Sequence, residues 1–203
     1  MTAEGWKTVL VTGFRPFPGA PVNPTEHLMQ SLPGRLGEVT STVRFVFHVL
    51  PTTWAGRHEV TGKLRRDIRP DAIVHFGVDG TRSTLNIETR AVNRAEQVRP
   101  DAAGETAPAA QLASGAEETR MSTLPAGALC EAARAAGAPV ELSADAGTYL
   151  CNATLWDSIG SGIPSIFIHV PALPESPNDK RPAFAVVETA AVRILEEVAR
   201  RLG

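Results

Sequence analysis

Thr8-Val9-Leu10-Val11-Thr12-Gly13 decides the fold of this 203-residue chain. It is a β-branched apolar run stopped by a glycine, and it reads as a buried strand. Working outward, Phe14-Arg15-Pro16-Phe17-Pro18-Gly19 is a loop. Asn23-Pro24-Thr25 opens a helix, with proline in the first turn, that runs to about residue 32. Residues 43–50 form a second strand. Pro51-Thr52-Thr53 leads into a helix over 54–68 with charges on one face. Asp71-Ala72-Ile73-Val74-His75-Phe76-Gly77 is another buried strand. Strand and helix alternate with short connections, which is the pattern of a three-layer α/β/α sandwich around a mixed, mostly parallel sheet.

The rest of the chain continues that rhythm with one interruption. A short strand falls at 84–87, a helix at 124–136 closed by Gly137, a strand at 140–143, a helix at 150–159, a strand at 165–169 and a long amphipathic helix at 184–202. Between them, residues 99–122 are rich in Ala, Gly, Pro and polar residues and show no period. A segment that long reads as a lid, an interaction loop or a mobile region. No repeat and no hinge divides the chain, so residues 1–203 are expected to form one domain.

Composition narrows the function classes. Hydrophobic residues make up 43% and charged residues 21%, enough for a sizeable core. The net charge of -2 points to neither nucleic acid nor a membrane surface as partner. No apolar run approaches the roughly 20 residues that span a bilayer, and residues 1–8 lack the pattern of a signal peptide. Two cysteines make no disulfide framework, so a reducing cytoplasm is expected.

The chemistry centres on Gly147-Thr148-Tyr149-Leu150-Cys151-Asn152. A thiol at a helix start faces unpaired N–H groups and the positive end of the helix dipole, which favour a thiolate. The same N–H groups suit a developing oxyanion. His169, in Ser165-Ile166-Phe167-Ile168-His169-Val170-Pro171, would take the thiol proton and return it to a leaving group. Glu88 would orient the imidazole, because it ends a short apolar run. A second description fits the same residues. Free cysteine is commonly inert packing, His169 would be a hydrogen-bonded residue at the core edge, and Glu88 a solvated or structural carboxylate. His27, His48, His58 and His75 are alternative bases.

Five segments in series resemble the pyroglutamyl peptidase I (pyrrolidone carboxyl peptidase) family of cysteine peptidases. Val9-Leu10-Val11-Thr12-Gly13-Phe14-Arg15-Pro16-Phe17 with Val22-Asn23-Pro24 is similar to its opening strand and loop. Leu50-Pro51-Thr52 resembles its second-strand exit. Glu88 with Ala91 and Asn93, then Pro100-Asp101 and Gly104, resembles its glutamate segment. Residues 146–152 are similar to its nucleophile motif, and Phe167-Ile168-His169-Val170-Pro171 with Pro174-Glu175 to its histidine motif. The resemblance implies hydrolysis of the amide after an N-terminal pyroglutamyl residue, through a thioester on Cys151, with His169 as base then acid and Glu88 orienting it. It implies no metal or cofactor, a peptide substrate, and a homotetramer or dimer. It also implies a lactam pocket in which Phe14 and Phe17 are walls, Thr52 lines a side, and backbone near Gly77 and Val78 meets the lactam edge.

Three departures stand out against the family pattern. An arginine is common where this chain has Val98, and Arg99 follows one place later. Glu88 is followed by Thr89 rather than arginine, with Arg90 next. Val78 stands where glutamine is common, and Ala102-Ala103 where Asn-Glu is common. These changes border the pocket, so two further readings stay open: an amidase for another small acyl group, and a non-catalytic binding protein on the same fold. Phosphate binding by the Gly13 loop is disfavoured, because Gly13 and Gly19 lack phosphate-loop spacing and no lysine follows.

Overall fold

The computed structural model describes residues 6–36 and 43–203. The expectation for the chain's first residues falls largely on 1–5, outside the described residues. Among the described residues, eight strands and five helices follow in the order β1 Lys7–Phe14, α1 Pro24–Leu36, β2 Val43–Leu50, α2 Trp54–Ile68, β3 Ala72–Val78, β4 Leu85–Glu88, β5 Arg90–Val92, β6 Thr119–Met121, α3 Ala126–Ala135, β7 Val140–Ser143, α4 Leu150–Gly160, β8 Ser165–Val170 and α5 Phe184–Leu202.

Six strands make one sheet in the order β2-β1-β3-β8-β4-β7. β2, β1, β3 and β8 are mutually parallel, while β4 runs antiparallel to β8 and parallel to β7. The sheet is mixed and mostly parallel, as the alternating apolar runs predict. Strand side chains alternate between faces, and here the two faces do different things. Val9, Val11, Val74, Phe76, Ile87, Ile166 and Ile168 pack with residues of α1, α3 and α5 on one side. Phe14, Leu50 and Phe167 pack with Leu155 and Trp156 of α4 and with Val60 and Leu64 of α2 on the other. That second side also receives Gly77, His169 and Glu88, which share its parity.

Two sequence expectations change and one holds. The first helix runs on through Pro33 to Leu36, because Leu36 is buried with Leu32 one turn earlier in the same core. Residues 99–122 are not a patternless excursion. They end in β6, which pairs antiparallel with β5. Both strands have only three residues, too short to show a period. The segment is also stapled to its surroundings. Asn93 donates to Ala113 O at 2.7 Å and accepts from Ala113 N at 2.9 Å, while Ala107 is buried against Trp54, Leu150 and Ala153. Gly137 does close α3: it sits at φ +82°, its N–H bonds to Arg134 O, and Ala138 N–H bonds to Ala133 O. Among the described residues no helix is long and apolar enough to cross a membrane.

Candidate active site

A cleft of about 970 Å³ opens at the carboxyl ends of β1, β3 and β8, where open α/β sheets usually bind their ligands. Phe14, Phe17, Thr52, Val78, Arg99, Cys151 and His169 all line it.

Cys151 is the second residue of α4. Gly147, at φ +71°, turns the chain into that helix, and its N–H bonds to Asp145 Oδ1 at 3.0 Å. The first bond of the helix runs from Ala153 N–H to Tyr149 O at 3.1 Å. The N–H groups of Leu150, Cys151 and Asn152 therefore precede the helical ladder. The sulfur rests against the backbone of Gly77. A β-carbon at position 77 would lie 3.0 Å from Cys151 Sγ and 2.4 Å from the Phe167 ring. Glycine is required there so that β3 can approach both groups.

His169 pairs with Gly77 on one side and Asn86 on the other. Its ring stacks obliquely on Phe167, with centroids 4.8 Å apart. Nδ1 meets Glu88 Oε1 at 2.8 Å. This contact depends on the antiparallel step in the sheet. β4 runs opposite to β8, so Glu88 faces Phe167 and reaches diagonally to His169, two residues on. Burial opposes charge on the imidazole. The negative sulfur of Cys151, a hydrogen bond to that sulfur, and the Glu88 carboxylate outweigh burial together and push His169 up to about 9.

Glu88 is completely buried, which excludes the solvated-carboxylate reading. The other histidines are elsewhere. His75 is buried between Thr12 Oγ1 at 2.6 Å and Ser158 Oγ at 2.8 Å, and burial pushes it down to about 3. His58 pairs with Asp157, and His27 meets Phe184 edge-on. None of His27, His48, His58 or His75 lines the cleft.

The loop after β1 forms the opposite wall. Asn23 Nδ2 and Thr52 Oγ1 both donate to Arg15 O, at 3.1 and 2.8 Å. Thr52 thus lines the cleft while its hydroxyl fastens the loop. Phe14 is both wall and core, since it lines the cleft and packs near Phe167 with centroids 6.2 Å apart. Phe17 is more open. The Arg99 guanidinium lies 5.5 Å from the Phe17 ring and 4.5 Å from that of Tyr149. Residues 94–100 are not a strand, so strand alternation does not govern them: Arg99 reaches the cleft and Val98 is 85% exposed.

A sequence model of the pyroglutamyl peptidase family matches residues 7–201. The chain belongs to the pyroglutamyl peptidase family. It is 35% identical to a pyrrolidone-carboxylate peptidase of Pyrococcus furiosus, over 94% of this chain and 97% of that one. It is 34% identical to one from Pseudomonas fluorescens, over 89% of this chain and 86% of that one. A solved mutant pyrrolidone carboxyl peptidase from P. furiosus superposes with a TM-score of 0.86 at 30% identity, covering 97% of this chain and all of that one. Pyroglutamyl peptidase I of Bacillus amyloliquefaciens superposes with a TM-score of 0.82 at 26% identity, covering 93% and 94%.

Within this pyroglutamyl peptidase frame, two residues to which the sequence reading gave no role stand out. Arg82, in the turn between β3 and β4, lines the cleft and lies 3.3 Å from Glu88 Oε1. Asp101 holds Trp54 N–H at the start of α2 at 2.8 Å, and Ala103 and Glu105 N–H at 2.8 and 3.0 Å. Asp101 carried a signal in its Pro100-Asp101 motif. Arg82 carried none, because its partners are brought to it only by the sheet. Arg90 is exposed, and its Nε donates to Ala144 O at 2.7 Å.

Proposed function

We propose that the chain removes an N-terminal pyroglutamyl residue from peptides as a cysteine exopeptidase. The observation that supports this most directly is the fully buried Glu88–His169 contact, set beside Cys151 in the cleft of a pyroglutamyl peptidase fold.

The chemistry follows from the geometry. Cys151 Sγ attacks the pyroglutamyl carbonyl carbon, and the carbonyl oxygen takes the negative charge. N–H groups of the first turn of α4 face that oxygen. His169 gives its proton to the departing amine nitrogen as the C–N bond breaks, leaving a pyroglutamyl thioester. Water then attacks the thioester while the imidazole takes one of its protons. The C–S bond breaks, pyroglutamate leaves, and the sulfur–imidazole pair is restored. Glu88 keeps the ring oriented and stabilises its charged form throughout. Phe14 and Phe17 give the flat lactam apolar faces, Thr52 and Val78 border it, and Arg99 braces Phe17 against Tyr149.

The reading extends to residues 1–203 as one catalytic domain in a reducing cytoplasm, where Cys151 stays a thiol. Both cysteines are free in the structure. The family resemblance supports a homotetramer or dimer, which sedimentation would show.

The test is release of aminomethylcoumarin from pyroglutamyl-aminomethylcoumarin. The native protein is expected to turn it over, and iodoacetamide and Cys151→Ser each abolish turnover. Background rates from the folded native protein, or full activity in Cys151→Ser, overturn the reading.

A further inference from the structure

The guanidinium of Arg82 has more partners around the site than the reaction above uses. Nε donates to Asp79 Oδ2 at 2.8 Å. Nη1 lies 3.3 Å from Glu88 Oε1 and 3.3 Å from Ser143 Oγ. Nη2 donates to Asp145 O at 2.6 Å. Asp145 in turn holds Gly147 N–H, at the bend that leads to Cys151. One planar cation therefore joins the carboxylate behind the base to the segment before the nucleophile.

Its place against Glu88 is unusual. Oε1 of Glu88 serves both His169 and Arg82, and Oε2 has no protein partner. A buried carboxylate with one oxygen unpartnered is poorly fixed by its imidazole contact alone. A guanidinium fork sets both position and charge, and an ammonium cannot span the same directions.

We propose that Arg82 is a positioning residue for the reaction, which locks the Glu88 carboxylate against His169 and holds the Asp145–Gly147 bend in register with it. The proposal rests on the hydrolytic reading above. Arg82 touches neither the scissile bond nor the sulfur, and acts through Glu88 and the bend.

The cation also bears on the proton affinity of the imidazole, through its hold on Glu88. The charged groups that face His169 are Glu88 from β4, Cys151 from α4, and Asp79 and Arg82 from the turn after β3. Arg82 is the one permanent cation among them. Removing it leaves Glu88 poorly fixed, so the imidazole should bind its proton less tightly. A side chain that only filled space would leave Glu88 on His169 and the imidazole unchanged.

The experiment uses Arg82→Met and Arg82→Lys in the full chain, with two readouts. The first is alkylation of Cys151 by iodoacetamide across pH, which reports the sulfur–imidazole pair whatever the substrate. The second is kcat and KM on pyroglutamyl-aminomethylcoumarin. Arg82→Met should lower the alkaline inflection of alkylation below the native one. It should lower kcat by up to about a hundredfold while KM changes less than threefold, since misplacement of reacting groups costs on that order. Added guanidinium ion should restore part of kcat, because the side chain borders the open cleft. Arg82→Lys keeps the charge without the fork, so it should move the inflection less than Arg82→Met and still lose kcat. An inflection in Arg82→Met that stays put or rises, or a native kcat in Arg82→Lys, overturns the proposal. Should Arg82→Met not fold, Arg82→Lys alone decides. If the native protein alkylates with the expected profile but releases no coumarin, the substrate reading fails, and the alkylation profiles alone decide the role of Arg82.

Discussion

His169 carries opposing pressures, and their balance is the chemistry of the site. Burial favours the neutral ring, while the Cys151 sulfur and the Glu88 carboxylate favour the imidazolium. Replacing Glu88 by Gln keeps the shape and removes one negative charge. The imidazole should then fall from about 9, because burial is left opposed by the sulfur alone. The alkaline limb of the kcat/KM profile should move to lower pH, and kcat should drop by about 10² or more. An alkaline limb that stays in place in Glu88→Gln would show that Glu88 does not set the proton affinity of the ring. The three residues proposed to react were legible in the sequence because each sits in a local pattern: a thiol after a glycine turn, a histidine before a proline, a glutamate closing an apolar run. Arg82 was not, since its value comes from four groups 3 to 63 residues away that only folding assembles.

At the scale of elements, the strands and helices announced by apolar runs of five or more residues all appear. What the sequence concealed is what holds the irregular segment between β5 and α3. Its order comes from side chains that bond to backbone, above all Asn93 and Asp101, rather than from a repeating pattern. Asp101 also finishes the start of α2. Thr53 caps Gly56 N–H at 3.2 Å, and Asp101 takes Trp54 N–H, so two acceptors share the open amides of that turn. Asp101→Ala frees three buried or part-buried N–H groups at once. It should cost about 1–3 kcal/mol in urea unfolding, which is the scale of a lost cap and its unpaired donors. Hydrogen exchange should rise in residues 101–107 and at the first turn of α2 while β3 and β8 stay protected. Uniform loss of protection, or none, would show that the carboxylate does not tie these two elements together.

For the whole molecule, the parity of the strands separates building from reacting. One face of the sheet carries apolar packing against three helices, and the other combines a smaller apolar cluster with polar groups, with Gly77, Glu88 and His169 at the end that opens into the cleft. His75 belongs to that second face but serves the fold. It is wholly buried, bonded to Thr12 and Ser158, and links β1 and β3 to α4. Burial, aided by the nearby positive charges of Arg65 and Arg57, pushes it down to about 3. The sign of its effect follows from linkage. An unfolded chain takes up a proton on this residue near its ordinary value of 6.5, and the folded protein does so only near 3. The contribution of His75 is therefore complete above 6.5 and is lost as pH falls toward 3. Over the middle of that window the slope approaches one proton, or about 1.4 kcal/mol per pH unit. His48, also lowered by burial and by Arg15, adds a smaller slope of the same sign. Urea unfolding of the native protein should thus weaken between pH 6 and 5, above the range where most carboxylates titrate. His75→Gln should be less stable at pH 7.5, having lost an imidazole fitted between two hydroxyls, yet its stability should fall far less steeply from 6 to 5. Equal slopes in the two proteins would mean that His75 takes up its proton in the folded state as readily as in the unfolded one, and that the bonds to Thr12 and Ser158 do not hold it neutral.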